Sequence, residues 1–266
     1  MTSQFDPRAA ADPQPTTPAV RIEGASKAFG KTRAVDDLSI TLNPGEVFAF
    51  LGPNGAGKTT TLKMTTGLLR PDRGTIRVCG FDLRRQDREA KQLLAYVPDQ
   101  PFVYEKLTGR EFIRFAREMY AVPETVADQR LSDLRRRLVM DGFLDQLCET
   151  YSHGMKQKVA LAAALIHDPR VLVVDEPMVG LDPRTARVIK DIFREMATVG
   201  GTVFMSTHTL DVAEQVADRI GIIHRGRLVA LGTLADLRQQ SAIDGRLEDI
   251  FLHLTCEAGD ETAPDA

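Results

Sequence analysis

Residues 52 to 60 read Gly-Pro-Asn-Gly-Ala-Gly-Lys-Thr-Thr, directly after the apolar run Val47 to Leu51. The spacing G-x-x-x-x-G-K-[ST] after a strand wraps backbone N–H groups around a phosphate chain. Gly52, Gly55 and Gly57 allow backbone turns that a Cβ would block, and Pro53, Asn54 and Ala56 complete the loop. A helix growing from about Gly57 adds its positive end to the cradle. Lys58 can reach the β- and γ-phosphates, the Thr59 hydroxyl suits Mg²⁺, and Thr60 offers a further hydroxyl. The chemistry is that of nucleoside triphosphate binding.

A second apolar run, Val171 to Val174, ends in Asp175 and Glu176. Adjacent acids at the end of a buried strand suit divalent-cation chemistry. Asp175 would hold Mg²⁺ through water, and Glu176 would polarise the water that attacks the γ-phosphorus. A third run, Val203 to Ser206, leads into Thr207 and His208, which adds a titratable group after a strand.

These groups need strands to bring them together. From Val20 to Leu51 short apolar runs alternate with turn signals, of which Asn43-Pro44-Gly45 is the clearest, so the chain starts rich in strands. The helix after the loop reaches about Gly67, and Thr75 to Cys79 is a further strand. Thr108 and Glu111 form a capping box that opens an amphipathic helix through Phe112, Ile113, Phe115 and Tyr120. Another helix covers about 124 to 138. Beyond Ser152 helices and strands alternate over 152–167, 171–175, 183–198, 202–206 and 209–217, which implies parallel strands joined by helical crossovers. Asp182-Pro183 starts one of those helices and Gly200-Gly201 ends it. Two β-like runs, 219–224 and 227–231, precede a small helical segment ending near Leu254.

Composition bounds the function. The 266 residues are 43% hydrophobic, enough for a large core. A net charge of −3 gives no electrostatic case for nucleic acid, and Arg84-Arg85 and Arg135-Arg136-Arg137 read as solvated helix faces. The longest apolar stretch, Val159 to Ile166, is far short of the roughly 20 residues that span a bilayer. Residues 1–18 lack the regions of a signal peptide and read as a disordered tail, and 256–266 as an acidic one. Cys79, Cys148 and Cys256 have no metal or disulfide spacing, which suits a reducing cytoplasm.

Taken in order, these segments resemble the ATP-binding subunit of an ABC transporter over about residues 20 to 255. The resemblance implies an α/β fold: a P-loop NTPase core of ABC type with an N-terminal antiparallel β subdomain and an α-helical subdomain inserted at about 100–168. It makes 19–255 one domain, with a small C-terminal segment at about 233–255. It also implies that Phe29 stacks on adenine, that Tyr151-Ser152-His153-Gly154-Met155 is the signature, that Gly180-Leu181-Asp182 is the D-loop and that His208 is the switch histidine. The signature retains Ser152 and Gly154, which would meet the γ-phosphate of an opposite subunit, but carries His153 in place of its first Gly and Met155 in place of Gln. Histidine titrates near neutral pH, so His153 would make closure of two subunits pH-dependent. At the Q-loop Asp99 stands where the family usually has Gln, and Gln100 follows; either would approach Mg²⁺ or its water.

The cofactors implied are ATP and Mg²⁺, and the partners a second ATP-binding subunit and a separate multi-span permease. The protein is then a peripheral ATPase on the cytoplasmic face of the membrane. Residues 98–108 and 247–252 resemble the ABC-2-type export subgroup, which points to export. The alternative is a soluble ABC ATPase that works as an ATP-driven clamp in assembly or repair. A nucleotide-binding regulator without turnover is opposed by the presence of both Glu176 and His208.

Overall fold

The computed structural model describes residues 17–243 and 245–260. In chain order its elements are β1 (Val20–Phe29), β2 (Thr32–Leu42), β3 (Val47–Leu51), α1 (Lys58–Thr65), β4 (Arg73–Val78), β5 (Phe81–Asp82), α2 (Asp87–Gln92) and β6 (Leu94–Val97). They continue with α3 (Gly109–Met119), α4 (Glu124–Arg137), a 3₁₀ turn at Cys148–Thr150, α5 (His153–Leu165), β7 (Val171–Asp175), α6 (Pro183–Thr198) and β8 (Thr202–Thr207). The chain closes with α7 (Leu210–Val216), β9 (Arg219–His224), β10 (Arg227–Gly232), α8 (Leu234–Ser241) and α9 (Leu247–Asp260).

Two sheets form. One is antiparallel, in the order β2-β1-β4-β5, and the other has the order β10-β9-β3-β8-β7-β6. Within the second, β9, β3, β8, β7 and β6 run parallel and β10 returns antiparallel as a hairpin. Parallel neighbours need long crossovers, which is why β7, α6 and β8 follow one another in sequence.

Every residue of β3, β7 and β8 is buried, so these strands are covered on both faces. Alternation then divides them between two cores. Phe48, Phe50, Val171, Val173 and Phe204 face the antiparallel sheet and Leu62 and Met64 of α1. Val47, Ala49, Leu51, Leu172, Val174, Val203 and Met205 face the other way, toward Val159 and Leu161 of α5, Ile189 and Phe193 of α6 and Ala213 of α7. Edge-to-face contacts at 5.6 and 5.8 Å set Phe204 between Phe48 and Phe50. Full burial of each such ring stabilises the fold by roughly 1.5–3 kcal/mol.

The capping box at Thr108 is present: its side chain accepts from the Glu111 N–H and Glu111 accepts in return. Asp182 caps α6 with Pro183 in its first turn. Three elements were not foreseen. β5 has two residues, α2 six, and β6 is a four-residue edge strand in which Tyr96 breaks the apolar run. The strand expected to end at Cys79 stops at Val78, where Cys79 turns the chain with φ 49°. Helix α9 continues past Leu254 to Asp260. Of the tail expected at 1–18, residues 1–16 lie outside the described residues, and of the acidic one, residues 261–266.

Candidate functional site

Parallel register brings the chemistry to one edge. Leu51 pairs with Thr207 and Asp175 with Ser206, so the glycine loop, the acid pair and His208 all leave the carboxyl ends of neighbouring strands. Open α/β sheets bind ligands at that edge.

The loop is held from outside by backbone. A Cβ at Gly52 would lie 2.4 Å from the Ile223 carbonyl oxygen, and one at Gly57, whose φ is 110°, would lie 2.4 Å from that of Ala34. Only glycine lets β9 and β2 approach so closely. Lys58 opens α1 and is buried at 7% exposure, with its ammonium donating to the carbonyls of Gly52 at 2.6 Å and Pro53 at 3.3 Å. Burial pulls its pKa below the usual 10.5, and the charges of Glu176 and Asp175 oppose that shift. A buried ammonium that has loop carbonyls for partners and feels two carboxylates fits a triphosphate. Thr59 beside it is exposed and Thr60 half-buried.

Asp175 is 2% exposed and accepts a hydrogen bond from the Ser206 hydroxyl on the adjacent strand. Glu176 turns off the strand with φ 50°, a left-handed conformation that costs a residue with a Cβ about 1–3 kcal/mol and is found at functional sites. Its surroundings hold it there. Its N–H donates to the Ser206 carbonyl at 3.1 Å. One carboxylate oxygen accepts from the Thr207 hydroxyl at 3.1 Å and the His208 N–H at 3.3 Å, and the other lies 2.8 Å from His208 Nδ1. Asp175 and the hydroxyl of Thr59 are the oxygen groups that could hold Mg²⁺, a hard cation.

Asp99 and Gln100 follow β6, whose Val97 pairs with Val174, so both are carried to the same edge, and both are exposed. Tyr96, directly before Val97 and three residues before Asp99, was not foreseen as part of the site. Its hydroxyl is buried without a hydrogen-bond partner among the described residues, and burial first, then the charges of Asp175 and Asp99, push its pKa up. Ser206 and Thr207 were also missed as partners of the acid pair. Their position after an apolar strand was visible, but which strand they face was not.

Phe29 ends β1 with its ring 53% exposed and the Lys27 ammonium 5.8 Å from the ring centroid. Ser152 caps α5, accepting from the Met155 N–H at 3.3 Å. Among the described residues, no hydrogen bond or ion pair joins Ser152, His153, Gly154 or Met155 to the loop, to the acid pair or to His208. They pack on the segment Gly180–Leu181 instead. A Cβ at Gly180 would sit 3.1 Å from the His153 ring, and one at Gly154 would touch Leu181 at 3.4 Å. Asp182 accepts from the Thr185 N–H at 2.9 Å and its hydroxyl at 2.6 Å.

A family model described as ABC transporter matches residues 35–179. The daunorubicin/doxorubicin resistance ATP-binding protein DrrA of Streptomyces peucetius is 38% identical over 240 residues, 90% of this chain and 72% of that protein. The linearmycin resistance ATP-binding protein LnrL of Bacillus subtilis is 37% identical over 218 residues, 82% of this chain and 70% of that one. A solved structure described as the ATP binding subunit of an ABC transporter superposes with a TM-score of 0.86 at 33% identity, covering 89% of this chain and 99% of that one.

Proposed function

Because the chain belongs to the ABC transporter family and is one of its ATP-hydrolysing, ATP-binding subunits, we propose that it energises export through a separate membrane permease. The observation that carries this reading is the convergence of Lys58, Asp175, Glu176 and His208 at one sheet edge, in a chain none of whose described helices is long and apolar enough to cross a membrane. The names of the relatives support outward transport of a toxic small molecule. Residues 19–255 act in this reading as one ATPase domain, with about 100–168 as a helical arm and about 233–255 as a C-terminal addition.

In the reaction the loop N–H groups and Lys58 neutralise charge on the transferring phosphoryl group, which is the main catalytic task in phosphoryl transfer. Mg²⁺, placed by Thr59 and Asp175, would add further charge neutralisation. Glu176 orients and polarises the attacking water. His208, 2.8 Å from the Glu176 carboxylate, holds that carboxylate in place and senses the γ-phosphate. Phe29 offers its exposed face to adenine. Asp99 or Gln100 links the metal side of the site to the arm that follows.

The signature residues Ser152 to Met155 serve a second subunit. Their placement on the D-loop, rather than on their own phosphate loop, supports a head-to-tail pair in which each nucleotide is shared. Hydrolysis removes the phosphate contacts that join the two subunits, and the pair opens. The membrane partner has a candidate seat. Phe102, Tyr104 and Phe115 are 69%, 45% and 40% exposed and touch edge to face at 5.5 Å, forming an apolar cluster just beyond Asp99 and Gln100. The protein would then sit on the cytoplasmic face of the membrane.

The test is a pull-down from detergent-solubilised membranes with Glu176→Gln and ATP. Recovery of one multi-span membrane protein, lost with Lys58→Ala or without nucleotide, is the expected result. Recovery of soluble proteins alone, with an active wild-type ATPase, would replace this reading by that of a soluble clamp.

A further inference from the structure

The turn that joins β9 to β10 is wedged between the phosphate loop and the start of β2. Its Gly226 N–H donates to the Ala56 carbonyl at 2.9 Å, and its carbonyl accepts from the Asp36 N–H at 2.8 Å. Gly226 has φ 82°, and a Cβ there would lie 3.0 Å from the Ala34 carbonyl oxygen and 3.3 Å from Val35 Cα. Loop, turn and strand therefore meet through backbone. Side chains then clamp the junction. Oδ2 of Asp36 accepts from Arg227 Nε at 2.9 Å and Nη2 at 2.7 Å, and Oδ1 accepts from Arg33 at 2.8 Å. The carboxylate is 14% exposed, and the Arg227 hydrogen bonds hold its pKa below the ordinary 3.8.

The same end of β2 leads on to the base side. β2 pairs with β1 through Lys27–Val35, Ala28–Arg33 and Phe29–Thr32, so the Phe29 ring is carried on the hairpin whose second strand Asp36 anchors. A nucleotide gripped at both ends needs the distance between Phe29 and the loop to be fixed before it arrives. Pre-set geometry lowers the ordering cost of binding.

We propose that Asp36 and Arg227 are positioning residues that set the spacing between the Phe29 ring and the phosphate loop, and so determine affinity for the base-bearing nucleotide but not for its phosphate chain. This rests on the reading of Phe29 as the base platform. Arg227 is 71% exposed, so the pair is worth a modest factor.

The experiment measures binding of ATP and of inorganic tripolyphosphate to the full chain as wild type, Asp36→Asn, Arg227→Gln, the double variant and Phe29→Ala. Each single change at the pair is expected to weaken ATP by about two- to five-fold, the scale of an exposed ion pair, with tripolyphosphate unchanged. The double variant is expected to be no weaker than either single one, because the two residues act together. Arg227→Lys, which keeps the charge, should recover part of the loss and guards against a folding defect, as does an unchanged melting temperature. Equal weakening of both ligands, additive losses or no loss at all overturns the proposal. Phe29→Ala separates the two readings. If it weakens ATP while the pair variants do not, the proposal fails and the platform stands; if it leaves ATP binding intact, the platform falls and the proposal with it.

Discussion

The Tyr151 hydroxyl accepts the backbone N–H of Gly109 at 3.0 Å, and the Phe143 carbonyl lies 2.8 Å from the same oxygen. The residue ahead of Ser152 is thus pinned to the first turn of α3, 42 positions earlier. Space there is closed, because a Cβ at Gly109 would lie 2.6 Å from that hydroxyl. Tyr151→Phe keeps the ring but leaves a buried donor without its acceptor, which is expected to cost about 1–3 kcal/mol. Urea unfolding reads this directly, and an unmoved midpoint would show that water replaces the hydroxyl.

Glu176 and His208 are expected to separate binding from turnover. Glu176→Gln retains the shape of the side chain and removes its basicity, so hydrolysis should fall by about 100-fold or more while ATP affinity holds. His208→Ala removes the group 2.8 Å from that carboxylate and should slow hydrolysis too. Parallel measurement of ATP dissociation and single-turnover hydrolysis checks both; a Glu176→Gln enzyme with wild-type turnover would remove Glu176 from the mechanism.

The pH dependence of binding follows from Lys58. Burial lowers its pKa from 10.5 in the free protein, and an arriving triphosphate would raise it again by adding negative charge. Binding therefore takes up a proton on the alkaline side, and affinity falls as pH rises through the free-state pKa, below 10.5. Arginine stays protonated throughout, so Lys58→Arg should flatten the profile on the alkaline side, below pH 10.5, even where its absolute affinity is lower. Calorimetry in buffers of different ionisation heat measures the proton count. Proton release in place of uptake would contradict the assignment.

The aromatic cluster beyond β6 should matter to assembly and little to chemistry. Phe102→Ser with Phe115→Ser removes two exposed rings without touching the sheet edge. Basal ATP hydrolysis is expected to stay within about two-fold of wild type, as for changes that leave transition-state contacts alone, while capture of a membrane protein is lost. Retained capture would place the partner on another face.

Much of this molecule was legible along the chain. The bounds of β3, β7, α6 and β9 agree with the sequence reading because each combines a strong burial pattern with abrupt ends: Asn43-Pro44-Gly45 before β3, Asp182-Pro183 and Gly200-Gly201 around α6. Those signals are local. They act through neighbours a few residues apart, as does the phosphate loop, whose glycines, lysine and hydroxyls all lie within nine positions, 52 to 60. By contrast β5, α2 and β6 carry too few residues for periodicity to appear, and their conformation is imposed by the sheets they border.

What tertiary structure decided is pairing across long separations. Nothing near residue 175 says that Ser206 will face Asp175; the parallel register of β7 with β8 makes that choice. Nothing near Gly57 says that a Cβ added there would meet Ala34, and Asp36 finds Arg227 across 191 residues. Residue type and spacing determined which chemistry the chain carries, because phosphate and metal recognition use groups set by local backbone geometry. Which residues hold those groups in place was settled only when distant strands paired, since burial constrains a side chain to an apolar or polar environment without naming its neighbour.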